Sequence, residues 1–401
     1  MTNIKKANLF QVLALGINPY LSIITSLLYA LKRSLNPFVF AFSIALISVY
    51  FPLMYDVSHS FFFYQDYKIG YLSEQLHAIN ELASVIDYIF NIDYFYTVFI
   101  IAFLSLYMWF KMFTWVVEKE CSYELYLIVF VVFISLTTYK EILDLNRTYF
   151  SYMLSIFAIF SFHSKRISKA LFVFLCILSF YFHPSVLIIL APYLISNFIR
   201  VNKVYGALIL LFALMSGMLV DKFLFYFVGF LPESAFLSYL VSEKWGLYKS
   251  IEQGRILLWL VQFSIVVSLF FLFPQKSNKR LFTMFIFIVA IFFLFIKFRV
   301  FGERFFIAVA LVTPIVLMSY KKASFAIYLL LISAVLKFLI YNVYVFGYVF
   351  TDDYTYVIEN KWKREGNVYK TFYLPTPYLM AISEYGYSDS FILKYAKRRE
   401  L

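Results

Sequence analysis

The sequence predicts an all-α polytopic integral membrane protein of about 12 transmembrane helices. Three observations carry this. Hydrophobic residues make up 63% of the 401 residues, against ~45–50% in an average globular domain. Charged residues are 14%, where roughly 25% is usual. Apolar stretches near the length that crosses a bilayer recur along the whole chain, parted by short charged breaks. A soluble multidomain protein, a disordered chain and a fibrous repeat are excluded by the mean hydropathy of +0.80. The net charge of +12 would suggest nucleic acid in a soluble protein. Here it fits anionic lipid headgroups and cytoplasmic loops, and no nucleic-acid partner is expected.

The first apolar stretch follows Lys5 and Lys6 and runs to Ala30 with no A-x-A site, so it reads as a retained span that Asn18-Pro19 kinks or shortens. Further spans are expected near 36–54, 94–110, 123–139, 148–162, 168–182, 184–199, 204–220, 256–274, 281–296, 305–320 and 323–345. Residues 1–345 then form the transmembrane domain and 346–401 a C-terminal extramembrane tail. One set of alternate loops concentrates its basic residues in short breaks: Lys32 and Arg33, Lys165 to Lys169, Lys276 to Arg280, Lys321 and Lys322. That set is expected in the cytoplasm, although Lys5 and Lys6 argue the other way. The opposite face carries the long loops 55–93 and 221–255. Loop 55–93 is rich in acids and aromatics, among them Asp56, Asp66 and Tyr67, and loops this long are usually functional.

The two cysteines and four histidines have no metal-site spacing, and no Gly-rich phosphate loop occurs. No metal and no cofactor are expected. The candidate chemistry lies at the external helix ends. Arg147 opens one predicted span, and His183 stands 36 residues later, after a helix down and a helix back. The hairpin returns both to the same face. Pro184 suits the first position of a helix, so His183 falls near an N-cap. There the helix dipole disfavours imidazolium, leaving a neutral ring able to take a proton. The plainer readings are a capping histidine and an arginine snorkelling to the headgroups.

Lys297, Arg299 and Arg304, with Glu303 among them, crowd a second external junction, and Arg255 opens another external helix. A guanidinium fork matches pyrophosphate bidentately. Several external arginines, one neutral histidine and no metal motif therefore fit an amphipathic lipid pyrophosphate. Lys140, Glu141 and Asp144 precede Arg147 and are placed to serve the same pocket.

At these residues the chain resembles the EpsG-like and Wzy-type polysaccharide polymerases, which include O-antigen polymerases. The resemblance is carried by Arg147-Thr-Tyr-Phe-Ser-Tyr-Met-Leu followed by His183-Pro184-Ser185. It is also carried by Asn18-Pro19-Tyr20 with Leu31-Lys32-Arg33 ahead of the Asp/Tyr-rich stretch from Asp56 to Tyr71, and by Arg304-Phe-Phe. It spans most of residues 15–320. It implies a glycosyltransferase C-like helical architecture in a bacterial inner membrane, with the active face periplasmic. An undecaprenyl-pyrophosphate-linked glycan would be transferred onto a new lipid-linked repeat, and a chain-length regulator is a compatible partner. Arg147, Arg304 and His183 would be catalytic. Lys297, Arg299, Arg255, Asp56, Asp66 and Tyr67 would bind substrate, Asp66-Tyr67 being the nearest approach to a Gly-Asp-Tyr motif.

Two rivals remain open: another lipid-linked glycosyltransferase or ligase, and a flippase for lipid-linked oligosaccharide. A flippase is expected to carry internal symmetry and charges at mid-membrane depth. The sequence offers no two-fold repeat of spans, and its charges cluster at predicted helix ends.

Overall fold

The computed structural model describes residues 2–51, 55–69, 78–118, 121–138, 140–144, 146–227, 253–273, 278–350 and 370–395. Among them the chain is helical, without a strand. The sequence breaks the helices where backbone chemistry requires it. Helix α1, Thr2–Ile17, stops at Asn18, whose side chain accepts the Tyr20 N–H and starts α2, Pro19–Leu31. Proline at the first helical position sets φ, and the asparagine caps. The sequence reads this dipeptide as a kink or shortening of one span; the chain instead reverses here, because Gln11 of α1 donates to the Ser34 carbonyl beyond α2 at 3.0 Å and accepts the Asn36 N–H at 2.9 Å, so α1 and α2 form a hairpin. The same dipeptide, Asn36-Pro37, opens α3, Pro37–Ser48. Arg33, at the end of α2, has a φ of 55°, which folds the chain back after the helix.

Segment 55–93, read from sequence as a loop, holds two helices: α4, Tyr55–Lys68, and α5, Ala78–Phe90. Then come α6, Tyr94–Val117, and α7, Tyr123–Leu136. A π-helical turn, Lys140–Asp144, leads into α8, Asn146–His163, and α9, Lys169–Phe182, comes next. A 3₁₀ turn, Pro184–Val186, runs into α10, Leu187–Ile195, and then α11, Lys203–Phe227. The second half contains α12, Gln253–Leu272, α13, Lys279–Leu294, α14, Arg299–Leu311, α15, Thr313–Leu317, and α16, Phe325–Phe350. Of loop 221–255, residues 228–252 lie outside the described residues.

By length and composition, Tyr94–Val117 and Phe325–Asn342 are able to cross a membrane, and eight further apolar helices are shorter. The helices approach one another through small residues and short polar contacts. Ser43 donates to Ser22 at 2.8 Å between α3 and α2, and the Ser264 and Ser333 hydroxyls meet at 2.6 Å between α12 and α16. At Gly217 a Cβ would sit 1.9 Å from the Phe293 carbonyl oxygen, so α11 and α13 approach at a distance only glycine permits. Large apolar side chains remain exposed on outer faces, including Phe174, Ile177, Leu208 and Phe212.

The breaks between helices sort to two ends. At one, the Arg33 guanidinium donates to the Cys121 carbonyl at 3.1 Å, Ser122 N–H donates to the Lys321 carbonyl at 3.0 Å, and Arg166 pairs with Glu118. This is the basic end. At the other, the C-terminal segment 370–395 folds back over the bundle. Asn18 donates to the carbonyls of Thr371 and Leu374 at 2.9 and 3.0 Å, and Tyr20 stacks on Phe372. The Tyr50 hydroxyl reaches the Leu379 carbonyl, and Ile382 N–H donates to the Tyr96 hydroxyl at 3.1 Å. The tail is thus a docked part of this end, and its nominal start at 346 falls inside α16, which continues to Phe350.

Asp389 closes the latch, accepting the Tyr94 N–H at 2.9 Å at the start of α6, with Gln65 donating to its other oxygen. Burial, with Asp93 and Asp87 nearby, pushes its carboxyl up to about 6, against the opposing Tyr94 N–H and Lys68. A carboxyl raised on folding is favoured protonated. Its contribution to stability is therefore greatest below the ordinary aspartate value and declines as pH rises through about 6. Asp389→Asn, which keeps the acceptor without the charge, is expected to melt above the parent protein at pH 7.5 and nearly level with it near pH 3.5. Thermal midpoints in detergent at both pH values check this; a parent more stable at pH 7.5 would contradict it.

Candidate functional site

The site is built at the tail end from α8 outward. Arg147 is the second residue of α8 and half-buried, and its charge acts on the Tyr94 hydroxyl at the start of α6. One helical turn on, the Ser151 hydroxyl donates to the Ser179 carbonyl at 2.8 Å and approaches the His183 carbonyl at 3.3 Å. The α8–α9 hairpin thus brings His183 back to within about a turn of the level of Arg147, as the spacing predicts.

His183 is extended, with φ −160° and ψ 116°, and caps the Pro184–Val186 turn. Its Nδ1 accepts the Ser185 N–H at 3.2 Å and lies 2.6 Å from the Ser185 hydroxyl. A backbone N–H can only donate, so Nδ1 is the unprotonated nitrogen and a neutral ring carries its proton on Nε2. The capping reading and the base reading therefore meet on one atom: the unprotonated Nδ1 that caps is also the nitrogen a base would use.

Arg304 enters from α14, which packs against α8. Its charge acts on Tyr152, whose hydroxyl faces Ser185 without making a hydrogen bond of good geometry to it. Tyr152 thereby links Arg304 to the His183-Ser185 turn. The hydroxyls of Tyr149 and Tyr152 and the Asn146 amide nitrogen are buried with no hydrogen-bond partner. Such groups cost about 1–3 kcal/mol each when left unmet, and three on the first two turns of one helix mark unused capacity to bind a polar group. Sequence reasoning misses these tyrosines; the signal available for them is two tyrosines three residues apart, on one helical face with Asn146.

The other expected site residues are less converged. Lys297 is half-buried in the turn between α13 and α14, Asp66 is half-buried on α4, and Tyr67 is exposed. The side chains of Asp56, Arg255 and Arg299 lie outside the described residues, although the helices that carry them are described. Segment 55–93 does reach the site end. Tyr181, near the end of α9, hydrogen-bonds Glu81 of α5, and Lys68 pairs with Asp87 at 2.6 Å. The Lys68 ammonium holds the Asp87 carboxyl below its ordinary range.

One expectation needs correction: not all charges sit at helix ends. Lys337 lies in the middle of α16 and is fully buried. Its ammonium donates to Glu141 Oε1 and Oε2 at 2.7 and 2.9 Å and to the Leu136 carbonyl at 2.7 Å. Glu141 Oε2 also accepts the Thr138 N–H at 3.2 Å. The apolar neighbours along α16 mask one lysine in any hydropathy average, which is why the sequence alone hides it.

A cleft of about 300 Å³ opens at the basic end, lined by Arg33, Asn36, Glu118 and Tyr126 among others, far from this cluster. Among the described residues no group of three or more His, Cys, Asp or Glu is placed to hold a metal. Comparison with protein-family models, with curated proteins and with solved structures yields no match for this chain.

Proposed function

We propose that the chain is a polytopic membrane glycosyltransferase of the polysaccharide-polymerase type. It transfers an undecaprenyl-pyrophosphate-linked glycan onto a second lipid-linked repeat at the periplasmic face of a bacterial inner membrane. The observation that carries this reading is the gathering of Arg147, the His183-Ser185 turn and Arg304 around buried, unpartnered tyrosines at one end of an apolar bundle. The basic loops at the opposite end support placing the site outside.

In this reading the acceptor sugar hydroxyl attacks the anomeric carbon of the donor glycan. The new glycosidic bond forms as the bond to pyrophosphate breaks, and the electron pair leaves on the pyrophosphate oxygen. Arg147 and Arg304 offset that charge, which grows only as the bond breaks, so their stabilisation is largest in the transition state. The hydroxyl proton passes to His183 Nδ1, with the Ser185 hydroxyl beside it as the relay. No nucleotide is consumed, because the donor is already activated.

Arg147→Lys and Arg304→Lys keep the charge and lose the fork. Each is expected to insert and yet make no long-chain glycan, read as the ladder of lipid-linked products in cells lacking the native protein. Normal ladders from both would reduce the arginines to interfacial anchors. Reporter fusions at residues 75 and 278 are expected to give opposite signals, periplasmic and cytoplasmic. Signals from the same side would sink the span assignment.

A second reading, a flippase for lipid-linked oligosaccharide, draws support from one observation, the buried pair of Lys337 in mid-helix with Glu141 of the π-helical turn. The two readings part in cells without the protein. A missing polymerase leaves single lipid-linked repeats on the outer leaflet, and a missing flippase leaves them on the inner.

A further inference from the structure

The connection from α7 to α8 must turn the chain and deliver Arg147, and it does so around one ammonium group. Lys337 binds the carbonyl of Leu136, the last residue of α7, and both oxygens of Glu141 in the π-helical turn. Glu141 in turn accepts the Thr138 N–H, and its own N–H approaches the Thr138 hydroxyl at 3.4 Å. Leu136, Thr138 and Glu141 are therefore tied into a knot whose centre belongs to another helix. Beyond the knot the π-turn has its N–H···O bonds one residue longer than an α-helix, a device that shifts the register of the next helix and recurs at functional sites. Arg147 stands six residues after Glu141, and Glu141 also acts on the buried Tyr149. The pair is buried on both sides, Lys337 at 0% and Glu141 at 4% side-chain exposure, so it is neither screened nor free to wander.

An ion pair this deeply buried gains little for stability over an apolar pair of the same size, and its commoner use is to fix one arrangement among several. We propose that the Glu141–Lys337 pair is a positioning element that sets where Arg147 stands at the tail end. Its importance for glycan transfer rests on the role proposed for Arg147 in that reaction; the positioning itself does not.

The test separates the two. Cys121 and Cys176, both unpaired, are replaced by alanine and Arg147→Cys is introduced. The rate of modification of this single thiol by a charged, membrane-impermeant methanethiosulfonate is then measured. It is compared between the native pair and Lys337→Met/Glu141→Met, which removes both charges together and keeps the volume. The thermal midpoint of each chain is measured alongside. A several-fold change in modification rate, with a midpoint no lower than that of the native pair, is the expected result. An unchanged rate overturns the proposal, whatever the glycan result. In chains that keep Arg147, the double methionine variant is expected to lose ~10²-fold in polymer output, the scale of a misplacement near 1 Å. A changed thiol rate with undiminished polymer would keep the positioning and overturn the role of Arg147 in transfer.

Discussion

His183→Asn, expressed at matched level in cells lacking the native protein, is expected to insert normally and to collapse the ladder of glycan lengths to single repeats. Asparagine can accept the Ser185 N–H through its side-chain oxygen, as Nδ1 does at 3.2 Å, and is among the best capping residues. The local turn is therefore retained. In the proposed transfer, what asparagine cannot do is bind the proton that the acceptor hydroxyl gives up. General bases contribute about 10²–10⁴-fold, and losing that at every addition leaves few chains beyond the first repeat. A purely capping histidine predicts the reverse, a near-normal ladder, and that outcome would leave the arginines as the only catalytic candidates. Ser185→Ala is the companion variant. It keeps the backbone N–H and removes the hydroxyl 2.6 Å from Nδ1, so a relay predicts a partial loss.

The largest expected effect on stability is at Lys337. Lys337→Met leaves the Glu141 carboxylate buried without its cation, and breaking a buried pair from one side costs about 3–5 kcal/mol. A typical domain has about 5–15 kcal/mol in all, so this chain should be recovered poorly and melt well below the parent. Lys337→Met/Glu141→Met should melt near the parent or above it, because both desolvation penalties vanish together. Thermal midpoints of the three chains in one detergent decide the matter. A stable Lys337→Met would mean that Glu141 is satisfied without its lysine.

The parts legible in the sequence are those set by local chemistry. Asn18-Pro19, read as a kink within one span, starts a new helix as Asn36-Pro37 does, because the cap and the fixed φ are written in two adjacent residues. The return of His183 to the end that carries Arg147 follows from counting helical rise across one hairpin, and the Ser151 contacts agree. Arg304 stands out in the sequence by its charge, but its link to the turn at His183 runs through Tyr152, a contact between helices far apart in sequence that spacing cannot reveal. The same holds for Glu141 and Lys337, 196 residues apart. Segment 55–93 misleads for a different reason. Its acids and tyrosines look like loop residues, yet α5 buries Ile79 and Ala83 on one face and exposes Tyr88 and Phe90 on others. A thirteen-residue amphipathic helix is easily lost among longer apolar runs.

The two hydrogen bonds from Asn18 to the C-terminal segment join residues 353 and 356 positions apart. Their consequence concerns time. The first helices leave the ribosome long before their partner exists, and at about 5–20 residues per second the wait is roughly 20–70 s. Through that interval the amide of Asn18 and the hydroxyls of Tyr50 and Tyr96 lack the partners they have in the folded chain. Arrival of residues 370–395 then closes the newborn bundle. Nascent chains halted before residue 370 should therefore be open to amide-directed hydrogen exchange around Asn18, and released full-length chains closed.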